Sequence, residues 1–293
     1  MASPSTAIVR APSSSAAKRR PVLNKRTSAI ILLTILGAIT VGVLASGLTM
    51  PESMYAPDFS QKKLSPSIEH WFGTDYLGHD MFCRTIRGLS LSIVIGVFAS
   101  AISGCVAMLL GSLSAIIGGA FDRVVLWLCD LFMAIPHLVL LILVSFSLGG
   151  GTTGVIVAVA ITHWPALTRL IRAEVLRIRT SEYVQTSRAF GKSAFWIAQN
   201  HIWPTVFPQF VVGTILLFPH AILHESALTF LGFGLPLDSP AIGAILSDSM
   251  KYISTGSWWL AFFPGLMMVI IVLLIYALGD DIKQLIDPHT AQE

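Results

Sequence analysis

The sequence predicts an all-α membrane protein of six transmembrane helices. Three observations carry that expectation. Hydrophobic residues make up 54% of the 293-residue chain and charged residues only 12%, where a soluble domain carries about 25% charge. Mean hydropathy is +0.74, and the apolar residues gather into runs long enough to cross a bilayer. The basic residues are unevenly placed between those runs. Such a chain has too few charges to cover a surface in water. Cytosolic enzymes, disordered proteins and nucleic-acid binders are excluded.

Taken in order, residues 1–28 form a Ser/Ala/Pro-rich basic tail expected to be disordered. The first span, 29–48, has no charge. About 28 residues precede it and it has full span length, which marks an uncleaved helix and not a signal peptide. An extracytoplasmic segment, 49–88, holds glycines, aspartates and aromatics in a pattern of tight turns, expected to fold on the membrane surface. The remaining spans fall at 89–118, 124–148, 155–171, 204–235 and 258–278, inside a core of 89–279 that is followed by a tail of 280–293. The runs are too continuous for barrel strands. With both ends on one side, fourteen of the nineteen basic residues lie on that side, twelve of them in the N-terminal tail and in 169–192. That side is the cytoplasm by the positive-inside rule. Arg84 and Arg87 fall on the opposite side. Cys83, Cys105 and Cys129 have neither zinc-site nor disulfide-framework spacing.

The inner loop, 180–204, is the most informative stretch. Ser181 is placed to cap a short helix and Glu182 to sit in its first turn. Gly191 reads as the stop, and Ser193 as the cap of a second short helix. Tyr183, Val184, Ser187 and Phe190 recur at helical spacing and give the first helix an apolar stripe. Such a helix either lies on lipid or docks into a partner's groove.

Gln185-Thr186-Ser187, Gly191 and Pro204 occupy the places of a Glu-Ala-Ala, three-residue, Gly, nine-residue, hydrophobic-x-Leu-Pro motif. Gln185 replaces Glu, Thr186 and Ser187 replace alanines, Trp203 replaces Leu, and His201 matches a subgroup pattern. Gly73-Thr74-Asp75 through Gly78-His79-Asp80, Glu225 through Gly234, and Gly279-Asp280 with Asp287-Pro288 match three further segments. Through these motifs the chain resembles the inner-membrane permease subunits of ATP-binding-cassette importers, in the oligopeptide, dipeptide and nickel group. The resemblance implies a type I ABC importer permease-like fold in a bacterial-type inner membrane. It implies pairing with a second homologous permease, two cytoplasmic ATPase subunits and an extracytoplasmic solute-binding protein. It further implies that Glu182, Tyr183, Gln185, Thr186, Ser187, Arg188 and Gly191 form a coupling helix against an ATPase. No phosphate-binding loop is present, so the chain is expected to be no enzyme and to hold no cofactor, with ATP and magnesium bound by the partners.

The cargo is read from ionisable residues inside the spans, which are functional candidates by default. His220 and His224 lie four apart and are expected to share a helix face as transient metal contacts. His163 and Glu225 are further pathway candidates, with packing or gating the expected part of Glu225. His137, beside Pro136, is expected to bond a carbonyl freed by the proline, and Asp130 to pair with Arg123. The Thr162-His163-Trp164 and Pro219-His220 arrangements resemble nickel permeases, so nickel, free or chelated, is the expected cargo and short peptides the alternative. A gradient-driven secondary transporter is the alternative of another class. It would favour an inverted repeat, and none is visible. Protease-like and esterase-like readings fail, because Glu225 lies outside the histidine pair and no Gly-x-Ser-x-Gly occurs.

Overall fold

The computed structural model describes residues 25–286; most of the basic N-terminal tail and the Asp287-Pro288 motif lie outside them. Ten helices follow one another: α1 Lys25–Thr49, α2 Met81–Ile117, α3 Gly119–Ala134, α4 His137–Ser147, α5 Gly151–Arg179, α6 Glu182–Ala189, α7 Ala194–Ile197, α8 Trp203–Phe230, α9 Ile242–Met250 and α10 Trp259–Ile286. Five stretches are long and apolar enough to cross a membrane unbroken. The expected third span is instead the bent pair α3 and α4, which meet at 98°. Ile135 takes an extended conformation before Pro136, as a residue preceding proline prefers. Counted as one crossing, the pair makes six.

The long helix α2 is the spine. It packs against α5 and α8, and its buried face is largely small: Gly96, Ala99, Ser103, Gly104, Ala107 and Gly111. A Cβ on Gly104 would meet Thr214 of α8, and one on Gly111 would meet Thr168 and Ile171 of α5. Close approach of small residues is how helices associate where lipid removes the hydrophobic driving force. Exposed Ile35, Ile39, Leu273 and Val269 on α1 and α10 are the outer apolar surface. Two ion pairs fasten α3 to α5. Arg172 grips Asp122 with both Nε and Nη2, the latter at 2.6 Å. Asp130 pairs with Arg169, not with Arg123 as expected, because α5 runs alongside α3 and presents that cation.

The segment between α1 and α2 is folded. Asp75 accepts hydrogen bonds from the backbone N–H groups of Leu77 and His79, from His79 Nδ1 at 2.6 Å and from Arg84 Nη1 at 2.9 Å. Asp80 caps α2 by accepting from Cys83 N at 2.9 Å and also accepts from His70 Nδ1. Phe72 stacks on Phe263 of α10 and Tyr76 on Tyr252. The two arginines on the unexpected side therefore have local duties, since Arg87 Nη1 donates to the Gly47 carbonyl of α1.

Candidate functional site

Two places in this frame carry chemistry. The first is the loop after α5. Helix α6 begins at Ser181, whose hydroxyl donates to the Ile178 carbonyl and does not cap. It ends in a Schellman turn: Lys192 N donates to the Ser187 carbonyl, Gly191 N donates to that of Arg188, and Gly191 sits at φ +77°. Ser193 caps α7 through Trp196 N at 3.2 Å, as its position foretold. The expected apolar stripe is only partly inward. Val184 is fully buried beside Ile178, Ile197 and Ile202, while Tyr183 and Phe190 face outward. Glu182, Gln185, Thr186 and Arg188 are also exposed. Ser187 hydrogen-bonds His201 Nε2 at 2.9 Å, and that ring also packs edge-on against Tyr183 and Trp196. His201 lies in a π turn, Ala198–Ile202, and ties α6 to the start of α8.

The second place is at the break in the third span. His137 is the first residue of α4, His163 lies within α5 and His224 within α8. Their rings converge, with centroids 4.6 Å apart for His137 and His163, 4.5 Å for His137 and His224, and 5.1 Å for His163 and His224. One ring nitrogen from each lies within 4.8 Å of the others. They open on a cavity of about 560 Å³ that Phe132, Met133, Thr162 and His220 also line. Among the described residues this is the one group of histidine, cysteine or carboxylate side chains close enough to hold a metal ion together.

His220 and His224 line the same cavity, but only His224 belongs to the three-ring cluster. His220 Nε2 is hydrogen-bonded to the Tyr276 hydroxyl of α10 at 2.7 Å and stands at the cavity's rim. His137 joins the cluster, whereas the sequence placed it on a carbonyl; its Nε2 is buried without a hydrogen-bond partner among the described residues. His163 lines the cavity. Glu225 does not: it is fully buried between α8 and α2. There it accepts from Ser92 Oγ at 2.6 Å, Thr229 Oγ1 at 3.1 Å and Ser226 Oγ at 3.2 Å. That is a link between helices. The sequence signal for His137 was Pro136 itself, since a break inside a span is where irregular backbone lines a cavity.

Comparison with known proteins agrees with this architecture. Residues 107–292 match the family described as binding-protein-dependent transport system inner membrane component. The dipeptide transport system permease protein DppC of Bacillus subtilis (strain 168) is 32% identical over 91% of this chain and 83% of its own length. The nickel transport system permease protein NikC of Escherichia coli (strain K12) is 30% identical over 92% of this chain and 98% of its own length. The probable D,D-dipeptide transport system permease protein DdpC of the same strain is 33% identical over 89% and 86%. A chain of the MetNI methionine ABC transporter shares the fold, with a TM-score of 0.58 at 19% identity, covering 71% of this chain and 98% of that one. This protein therefore belongs to the binding-protein-dependent transport system inner membrane components, as a multi-pass permease subunit of a bacterial ABC importer in the group that includes peptide and nickel permeases.

Proposed function

We propose that the chain forms half of a translocation pathway for nickel, taken up free or in a small chelate. The other half would be a second homologous permease, with two ATPase subunits at the α6 end and a solute-binding protein at the other. The observation that carries the cargo is the convergence of His137, His163 and His224 from three helices onto one cavity, since imidazoles suit nickel, copper and zinc. Arg172, Arg177, Arg179, Arg188 and Lys192 fall in the stretch of sequence that leads into and through α6, which supports placing that end, and both termini with it, in the cytoplasm. There α6, with residues 182–188 and the turn at Gly191, would dock on an ATPase. Differential contacts in two ATPase states would bias two arrangements of the spans. Membership of an ABC importer family displaces the gradient-driven alternative.

Short peptides are the second reading, favoured by the dipeptide and D,D-dipeptide permeases among the relatives. Uptake by cells carrying the complete transporter separates the two. Radiolabelled nickel accumulation that requires the ATPases and falls when His163 and His224 are both replaced by alanine supports metal. Accumulation of a labelled dipeptide, indifferent to nickel and to those substitutions, would replace this reading with the peptide one.

A further inference from the structure

We infer that His137, His163 and His224 form a coordination site for a single bare divalent d-block ion, complete within this one subunit. The identification of that ion with the transported cargo rests on the nickel reading above; the site itself rests on its own geometry.

The argument begins with His163. Its Nδ1 lies 2.8 Å from the Val159 carbonyl one turn back. A carbonyl only accepts, so Nδ1 carries the proton and Nε2 carries a lone pair. This is the outer hydrogen bond that fixes the tautomer of metal-ligating histidines. The freed Nε2 is buried without a hydrogen-bond partner among the described residues, and so is Nε2 of His137. Leaving a buried polar atom unsatisfied costs about 1–3 kcal/mol. A cation held by His163 Nε2 relieves that site, and it relieves the second when the His137 proton sits on Nδ1; one ring nitrogen from each of the three histidines lies within 4.8 Å of the others. A metal–nitrogen distance of ~2.1 Å implies nitrogens about 3.4 Å apart in a tetrahedral sphere, a closure within reach of side-chain torsions.

The donor set selects the ion. The site offers imidazole alone, which disfavours magnesium and calcium. The neighbouring carboxylate, Glu225, is fully engaged by three hydroxyls on the far side of α8. Three neutral ligands leave both charges of the ion uncompensated, and the positive end of the α4 dipole adds a small further penalty. Affinity is therefore moderate, which suits passage better than storage. The ligands come from α4, α5 and α8, so an occupant ties the helix that begins at the break to the two long helices behind it.

The test uses the complete transporter in lipid nanodiscs, titrated with cobalt(II) alone as a spectroscopic probe. The expected result is a d–d absorption band saturating at one equivalent per copy of this subunit. His163→Ala should weaken the titration at least about tenfold, the lower bound for loss of even an outer partner of a metal ligand. His224→Cys should keep binding and add a thiolate-to-cobalt charge-transfer band, which proves ligation and guards against an alanine variant that misfolds. Absence of the band in the unaltered transporter, or an unchanged titration in a His163→Ala complex of normal composition, overturns the site. Cobalt binding as expected, with nickel uptake indifferent to the histidines, upholds the site and defeats the cargo reading. Nickel uptake without cobalt binding defeats the site and leaves the cargo reading standing.

Discussion

The segment before α2 and the loop after α5 are both polar, both outside the spans, and opposite in construction. They lie at the two ends of α2: Asp80 caps its first turn, and the Arg179 guanidinium donates to the Ala115 carbonyl near its last. At 37 residues, α2 separates them by about 55 Å. The first segment satisfies its own polar groups, although Phe59, Ile68 and Trp71 stay exposed. Asp75 is saturated with donors, and the aromatic rings of Phe72 and Tyr76 are stacked against other rings. The second leaves Phe190 79% and Phe195 67% exposed, and Val184 is the one buried residue of α6. Large apolar side chains grouped on a surface mark an interaction site. The first segment closes a polar network on itself, whereas α6 buries one residue and leaves the rings that follow it exposed.

Substitutions test that contrast, beginning with the largest effect. Gly78 sits at φ +88°, and a Cβ there would come within 1.7 Å of the Asp58 carbonyl oxygen. Gly78→Ala should cost about 3–4 kcal/mol and lower the thermal midpoint of the detergent-solubilised protein; an unchanged midpoint would show that the segment is not packed as described. Asp75→Asn should cost about 2 kcal/mol, because hydrogen bonds to a charged group are lost and Arg84 is stranded. Burial pushes the Asp75 carboxyl up, but hydrogen bonds from the His79 side chain and backbone and the charges of His79 and Arg84 outweigh it, and the group lies below the usual carboxylate range. A carboxyl depressed in the folded state stabilises above its unfolded value of about 3.9 and loses that contribution as pH falls through the lower folded value. Amide exchange should therefore show residues 58–80 protected down to about pH 4 and released below it, and Asp75→Asn should remove the transition.

In the loop the effects shift from stability to partnership. Gly191→Val places a β-branched residue at φ +77° with nothing within 4 Å of the new Cβ, so backbone strain of about 1–2 kcal/mol is the whole cost. Insertion should be normal while uptake per ATP hydrolysed falls severalfold, and Gly191→Asn should restore most of it. Undiminished coupling in the valine variant would remove α6 from the drive train. Phe190→Ala should change the subunit's own stability least, by less than about 0.5 kcal/mol. ATPase co-purification should nevertheless weaken about tenfold, a loss of roughly 1.4 kcal/mol. Equal effects on both measurements would erase the contrast.

What could be read from the sequence follows the range of the interactions. The five unbroken spans and the turn at Gly191 were legible, because apolar runs, the Schellman turn and the Ser193 cap act within a few residues. Pro136 showed an interruption, but the size of the bend, 98°, belongs to the packing of α3 and α4 on α5, which joins residues far apart in the sequence. The histidine cluster was illegible for the same reason. It joins residues 137, 163 and 224, and only the folded packing of α4, α5 and α8 brings them together. The local rule that pairs residues four apart did not show which of His220 and His224 joins the cluster, since such residues are still about 40° apart around a helix. On α8 that angle is enough to send one ring to Tyr276 and the other to His137.

Helix α5 runs without interruption from His163 to Arg179, where the loop begins. Sixteen residues of rise make a rigid arm of about 24 Å, with Pro165, which removes one backbone hydrogen bond, near its far end. A tilt of about 5° at the loop displaces the His163 end by about 2 Å, roughly one metal–nitrogen bond length. An arm of that length needs only a small angular input to decide whether an imidazole is within bonding range or outside it.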